Sequence, residues 1–536
     1  MATYKDATNT FVLEAGEVNF EIPGGASTLH SNVQGNALNN VLTGSDGSNE
    51  LSGGDGNDTL IGGLGEDHLI GGAGFDIVSY EYSTSGLRID LNVNTPSTGP
   101  AFAAGTDSDS YVSIEGVIGS NHNDTIVGSN AVSEWLNGGA GIDDIQGGDG
   151  NDTIIGGVGA DILRGGAGID TLSYATAGSG VNVTLNSADG AVNGFGSLGD
   201  ANGDNINGFE NLTGSNYADT LNGNTGANYI DGGIGDDILV GKGGNDTLYG
   251  GLGADDMQGL ADNDLYYVDN ALDYVRERGG EGYDHVITTV TFDLAARGDG
   301  EIELFQAAAG AGAINLYGNY HTNHIIGNEA NNIIDGRRGA DTMEGGGGDD
   351  TYYVDNAGDV VIDSQGNNIV YTSANFNGSQ FSGKVIATGS VGISLTGDAS
   401  ANTILGNSGA NRINGGIGND VLTGGSGRDS FVFDSKIGDH RTNKTFNLDR
   451  ITDFKVKQDK ILLDNAIFKK LKKTGKLKDD FFKLGSKATD KNDYIIYNKS
   501  KKTLSYDVDG SGSKKAVEII KFDKKINLTA ADILVI

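Results

Sequence analysis

A nine-residue period governs this chain. GGDGNDTLI, GGLGEDHLI and GGAGFDIVS follow one another from Gly53, and the same frame returns from Gly138, Gly232, Gly336 and Gly415. Glycine favours positions 1, 2 and 4, aspartate holds position 6, and a large apolar residue holds position 8. Twelve rows keep GGxGxD at every fixed position. The sixth-position aspartates are 58, 67 and 76; 143, 152, 161 and 170; 237, 246, 255 and 264; 341 and 350; and 420 and 429. Weaker rows with asparagine at that position precede them, at Asn40, Asn49, Asn228, Asn323, Asn332, Asn402 and Asn411. A unit this short admits few folds. Glycine lets the backbone turn sharply through positive φ, and the three residues around position 8 then form a very short strand.

Two such units make a coil of eighteen residues. Stacked coils give parallel sheets at about 4.8 Å spacing, with Leu60, Leu69, Val78, Ile145, Ile154, Leu163 and Leu172 filling an interior one side chain thick. On each edge the aspartate of one row lies over the aspartate two rows on, so carboxylates and turn carbonyls meet in a pocket of oxygens. Charge points the same way. The chain carries −37, and residues 1–433 hold 12 basic against 58 acidic residues, whereas residues 434–536 hold 24 against 15. A compact fold with that acidic excess repels itself unless it binds cations, and nucleic acid is disfavoured as the main partner. With no cysteine, hard oxygen-ligated ions such as calcium are expected. No apolar run approaches the roughly 18 residues of a membrane span. Only three prolines accompany the 89 glycines, which excludes collagen.

These rows resemble the RTX, or haemolysin-type, calcium-binding repeat, over most of residues 35–433. The resemblance implies a parallel β-roll with calcium between rows i and i+2. It is held by the carbonyls of positions 2 and 4 with the aspartate of the first row, and the carbonyls of positions 1 and 3 with that of the second. Carried over, one site joins Gly54, Gly56 and Asp58 to Gly71, Ala73 and Asp76. A second joins Gly139, Gly141 and Asp143 to Gly156, Val158 and Asp161. A third joins Gly148, Gly150 and Asp152 to Gly165, Ala167 and Asp170, and a fourth joins Gly233, Gly235 and Asp237 to Gly250, Leu252 and Asp255. Asp67, Asp246, Asp264, Asp341, Asp350, Asp420 and Asp429 are further candidate metal ligands, for on the order of ten calcium ions in all. Departures mark weaker edges: Lys242 replaces a second glycine, Arg337 and Arg338 replace two turn positions, and asparagine offers a neutral ligand.

The fold class expected is therefore all-β, with β-roll blocks joined by β inserts and followed by a β-rich C-terminal domain. Its parts are an N-terminal cap at 1–34, repeat blocks at 35–78, 119–174, 214–268, 318–354 and 397–433, and inserts at 79–118, 175–213, 269–317 and 355–396. The C-terminal domain spans 434–536. Two inserts follow Ser79-Tyr80 and Ser173-Tyr174 and are versions of one another, as are DLYYVDN at Asp264 and DTYYVDN at Asp350. All four inserts read as strand pairs that extend and cap the roll. The last hundred residues alternate as strands, with a lysine-rich, helical stretch expected near 465–483. They resemble the C-terminal segment of serralysin-like type I secreted proteins, including DILVI at Asp532 to Ile536. The first residues lack a basic region followed by an apolar one, so Sec-type export is not expected.

Catalytic signatures do not emerge. The seven histidines (30, 68, 122, 285, 321, 324 and 440) include no HExxH, and there is no GxSxG elbow or GxxxxGK phosphate loop. His321 and His324 read as surface or turn residues, and the EF-hand-like run from Asp507 to Glu518 as a hairpin turn. Trp135 is expected in the core. Roughly 34 residues precede the repeats, too few for a catalytic domain. The expected function is that of a non-catalytic, extracellular calcium-binding protein exported by type I secretion. It would act in a matrix, a surface layer or host interaction, with cell-surface or matrix polysaccharide or copies of itself as partners. The alternative is an accessory or remnant of a polysaccharide-modifying RTX enzyme with its site on an insert. A pore-forming toxin would need amphipathic helices that are absent here.

Overall fold

The computed structural model describes residues 3–5, 10–22, 31–92, 109–130, 132–186, 194–278, 280 and 282–536. Parts of the expected N-terminal cap and of the first two inserts lie outside these. Among the described residues α-helix is confined to Leu294–Arg297 and Asn443–Phe446, single 3-10 turns lie at Gly199–Ala201, Asp479–Phe481 and Ala530–Asp532, and the remainder is strand, turn and irregular backbone. The chain forms two compact units, Met1–Tyr283 and Asp284–Ile536, each a parallel β-solenoid.

In the first unit one face is a single parallel sheet of twelve strands, from Asn19–Glu21 through Thr59–Ile61, Ile77–Ser79, Gly116–Ile118 and Trp135–Asn137 to Leu265–Val268. It runs through both inserts without a break. The opposite face comes in three parallel runs. The first ends Glu50–Asp55, His68–Ala73, Ser110–Val112. The second begins Arg88–Asp90, Thr125–Val127 and ends on Asn205–Asn207. The third begins Asn182–Thr184, Thr220–Asn222. Each insert thus sends its early strand forward to start the next run and its late strand back to finish the previous one. These early and late strands belong to different runs of one face, and in the second insert Gly194–Ser197 bridges the two, antiparallel to both.

The second unit repeats the plan. Phe381–Ala387, Thr403–Leu405, Val421–Thr423, Asp449–Ile451 and Val517–Phe522 stack in parallel on one side. Ser394–Thr396, Arg412–Asn414, Ser430–Phe433, Lys460–Leu463 and Ile533–Val535 stack on the other. The C-terminal residues therefore continue both stacks.

Position 8 supplies the interior. Leu60, Val78, Leu136, Ile154, Leu172, Leu69, Ile145 and Leu163 are fully buried, each worth about 1.5–3 kcal/mol of apolar burial. Two expectations fail. Trp135 lies half-buried on the outer surface, because its row has ten residues and brings Leu136 to the inward position. The lysine-rich stretch is not an α-helix: Gly475 takes φ +110°, Gly475–Lys476 pairs antiparallel with the C-terminal strand, and only Asp479–Phe481 makes a 3-10 turn. At Asp507, Thr503–Tyr506 and Val517–Phe522 form an antiparallel pair, as a hairpin requires.

Candidate metal centres on the turn edges

The glycine turns place each sixth-position carboxylate inside its coil edge, one above the next. The link between coils is a backbone N–H donating to a carboxylate oxygen. Asp58 N–H donates to Asp76 Oδ1 at 2.8 Å, Asp143 N–H to Asp161 at 2.8 Å, Asp152 N–H to Asp170 at 2.8 Å and Asp237 N–H to Asp255 at 2.8 Å. Each of these pairs is one that the sequence places together. The other oxygen is what marks the site. Oδ2 of Asp58, Asp76, Asp143, Asp152, Asp161, Asp170, Asp237, Asp246, Asp255, Asp341, Asp350, Asp420 and Asp429 is buried without a hydrogen-bond partner. Asp67 and Asp264 stand in the same ladder, accepting from the N–H groups of Asn49 and Asp246.

A buried carboxylate oxygen lacking a donor is costly unless a cation answers it. Burial accordingly pushes the carboxyls up from 3.8: Asp143 and Asp170 to about 6, Asp161, Asp237, Asp255 and Asp341 to about 7, and Asp246 to about 8. Donated N–H groups oppose the shift, and neighbouring carboxylates add to it.

The orphan oxygens share a cradle with turn carbonyls. A methyl group on Gly232 would come within 2.5 Å of both Asp237 Oδ2 and the Gly250 carbonyl, and one on Gly53 would meet Asp58 Oδ2 and, at 2.7 Å, the Gly71 carbonyl. The position-1 glycine keeps that space open. The position-1 carbonyls of the second rows, Gly71, Gly156, Gly165 and Gly250, thus face the first-row aspartates. Other proposed donors already accept one hydrogen bond between coils. Gly56 N–H donates to Ala73 O, Gly141 to Val158 O, Gly150 to Ala167 O and Gly235 to Leu252 O. Val158 N–H donates to Gly139 O, and Leu252 N–H to Gly233 O. A carbonyl has a second lone pair to offer. The donor set is all oxygen and strongly anionic, which fits calcium.

Where the pattern departs, the protein supplies its own partners. Asn228 Oδ1 accepts from Asn224 N–H at 2.7 Å and its amide donates to Glu210 O at 2.7 Å; Asn323 and Asn332 are satisfied in the same way. Lys242, at φ +84°, donates its ammonium to the Gly223 carbonyl at 2.5 Å, placing a fixed cation on that edge. Arg337 pairs instead with Asp293 at 2.6 Å. His321 and His324 each pair with a glutamate, Glu301 and Glu344, on successive coils.

Several ladder members escape the nine-residue frame. Asp109 and Glu115 accept from Asp67 and Asp76, and Asp204 and Glu210 from Asp161 and Asp170, so the first two inserts supply the next carboxylates. Their signal lies in the duplication, because both pairs recur at the 95-residue offset that relates Gly119 to Gly214. Asp273 and Asp359, accepting from Asp255 and Asp341, recur at the 86-residue offset of the second pair. Asp124 and Asp219 begin ladders with Ser120 and Ser215 donating to them. Glu134 replaces aspartate in the ten-residue row: its N–H donates to Asp152, its Oε2 is buried without a partner, and burial raises its carboxyl to about 7. The extra methylene suits the extra residue. Asp449 and Asp459 end the ladders of the second unit by accepting from Asp420 and Asp429.

Comparison with protein families matches the model of the RTX calcium-binding nonapeptide repeat (four copies) to residues 34–69, 43–78, 137–172, 204–239, 231–266, 317–352 and 396–431. Among curated proteins no relative matches the chain. Repeats of this family bind calcium, and the proteins that carry them are typically secreted.

Proposed function

We propose that this chain, a carrier of RTX calcium-binding nonapeptide repeats, is a non-catalytic protein that folds on extracellular calcium and serves a matrix, a surface layer or host interaction. The observation that carries the reading is the column of buried carboxylates whose second oxygens lack a protein donor. Calcium at these places would be held by Asp Oδ2 and position-1 carbonyls and would neutralise the stacked charge. Its role is structural: it joins successive coils. Extracellular calcium modules bind with dissociation constants of about 0.1–1 mM, far above cytosolic free calcium. The chain would therefore stay unfolded and exportable in the cell and fold outside. Function is then spread along the edges.

Export is assigned to the C-terminal segment and a type I apparatus. In a bacterial host bearing such an apparatus, the full chain should reach the medium, and removal of residues from about 480 onward should retain it in the cells. Residues 434–536 fused to a passenger should carry it out. Undiminished export of the truncated chain, or failure of the fusion, would overturn that assignment. Turnover of alginate, pectin or casein by the purified, calcium-loaded protein would overturn the non-catalytic reading.

A further inference from the structure

A lysine-rich surface loop lies against the C-terminal strand. Leu471 and Leu477 are buried and anchor a loop whose intervening residues are exposed. Gly475–Lys476 pairs with that strand, and Leu477 N–H donates to Ile533 O at 3.1 Å. The anchored loop closes round a cavity of about 450 Å³, lined by Lys470, Lys472, Lys473, Lys476 and Lys478, with Phe481 in its wall. Lys478 Nζ lies 5.3 Å from the Phe481 ring centre. Among the described residues none of the five ammonium groups pairs with a carboxylate within 4.0 Å, although Asp479 and Asp480 follow directly in sequence.

Five lysines border one concavity whose wall includes the buried Leu471 and Leu477, and its volume falls within the roughly 300–1,000 Å³ of small-ligand sites. We propose that this cavity binds acidic sugar units of a polysaccharide, carboxylates on the lysine rim and a ring face against Phe481. The repeat edges of a second copy are poorer occupants, because their sixth-position carboxylates are buried inside convex turns. A single glycan strand is narrow, anionic and apolar on its C–H face. Lysines, as mobile point charges, suit carboxylates of varied geometry.

This deepens the extracellular reading by naming a partner class and rests on it for the encounter; circular dichroism of the calcium-loaded full chain tests folding separately. Soluble hyaluronate oligosaccharides serve as the probe, titrated calorimetrically into the full-length protein at fixed calcium. Binding should weaken as salt rises. K472Q/K473Q/K476Q should lose about tenfold or more in affinity, and F481A a smaller factor. K501Q/K515Q/K524Q, which removes equal charge elsewhere on the segment, should bind as the parent does. No binding by the parent, equal loss in both triple variants, or lysine-dependent binding of phosphatidylglycerol vesicles without hyaluronate binding would each overturn the proposal. Retained affinity in the first triple variant, with its fold intact, would do so as well.

Discussion

The middle of a turn edge differs from its ends. On the edge Asp124, Asp143, Asp161, Asp204, the N–H of each of the first three donates to the carboxylate of the next coil. Asp124 also receives Ser120 N–H and hydroxyl, and Asp204 receives the Tyr174 hydroxyl at 2.7 Å. Asp143 and Asp161 receive no such second donor. Tyr80 does for Asp109 what Tyr174 does for Asp204. On this edge the ends are satisfied by protein and the middle asks for a cation, whereas Glu134, first on its own edge, keeps an Oε2 without a donor. Calcium demand is therefore set by which ladder carboxylates lack a second protein donor, and aspartate alone does not create it.

Removing calcium tests the middle everywhere at once. At ten times its dissociation constant each site adds about 1.4 kcal/mol, and on the order of ten sites rival the ~5–15 kcal/mol stability of a domain. Full-length protein in chelator should lose its β circular dichroism and regain it with calcium. A spectrum indifferent to calcium would refute the scheme.

The second effect is on pH. Carboxyls that titrate near 3.8 when unfolded and at about 6 to 8 when folded make the calcium-stripped fold bind more protons across that window. Its stability should fall as pH rises from 5 to 8. Calcium must displace those protons, so its affinity should rise over the same range. Opposite trends, followed by circular dichroism and calcium titration, would contradict the burial argument.

Single interior positions come next. Asp152→Ala and Asp161→Ala should each raise the calcium midpoint for folding several-fold, while Asp349→Ala, an exposed fifth-position change, should leave it in place. Equal midpoints would remove the edge aspartates from the ligand set.

Filling the cradle is a subtler test. Gly232→Ala puts a methyl group against Asp237 Oδ2 and the Gly250 carbonyl, whereas Gly178→Ala meets nothing within 4 Å. The first should raise the calcium midpoint and the second should not.

The ends give the smallest change. Tyr174→Phe strips a donor from Asp204 and should lower stability by about 1–3 kcal/mol at any fixed calcium concentration. Asp161→Ala should instead be felt chiefly through the midpoint. If the two variants behave alike in calcium titrations, the distinction between middle and end is wrong.

The nine-residue frame alone determined the coil, the inward position 8 and the vertical alignment of sixth positions, because a strand and turn of constant length repeat in constant register. Leu60 over Val78 and Asp143 over Asp161 were legible for that reason. Comparing the duplicated inserts at their own offset would also have revealed Asp109 with Asp204. Trp135 and Glu134 were misread or missed because one added residue in their row changes which side chain faces inward, and the frame does not describe ten. Which carboxylate oxygens lack a donor was decided only by the tertiary structure. The donors that settle it, such as Tyr174 for Asp204 and Tyr80 for Asp109, come from 30 and 29 residues away. Hydrogen bonding is short-ranged and directional, so spacing along the chain does not specify it until the coils are stacked.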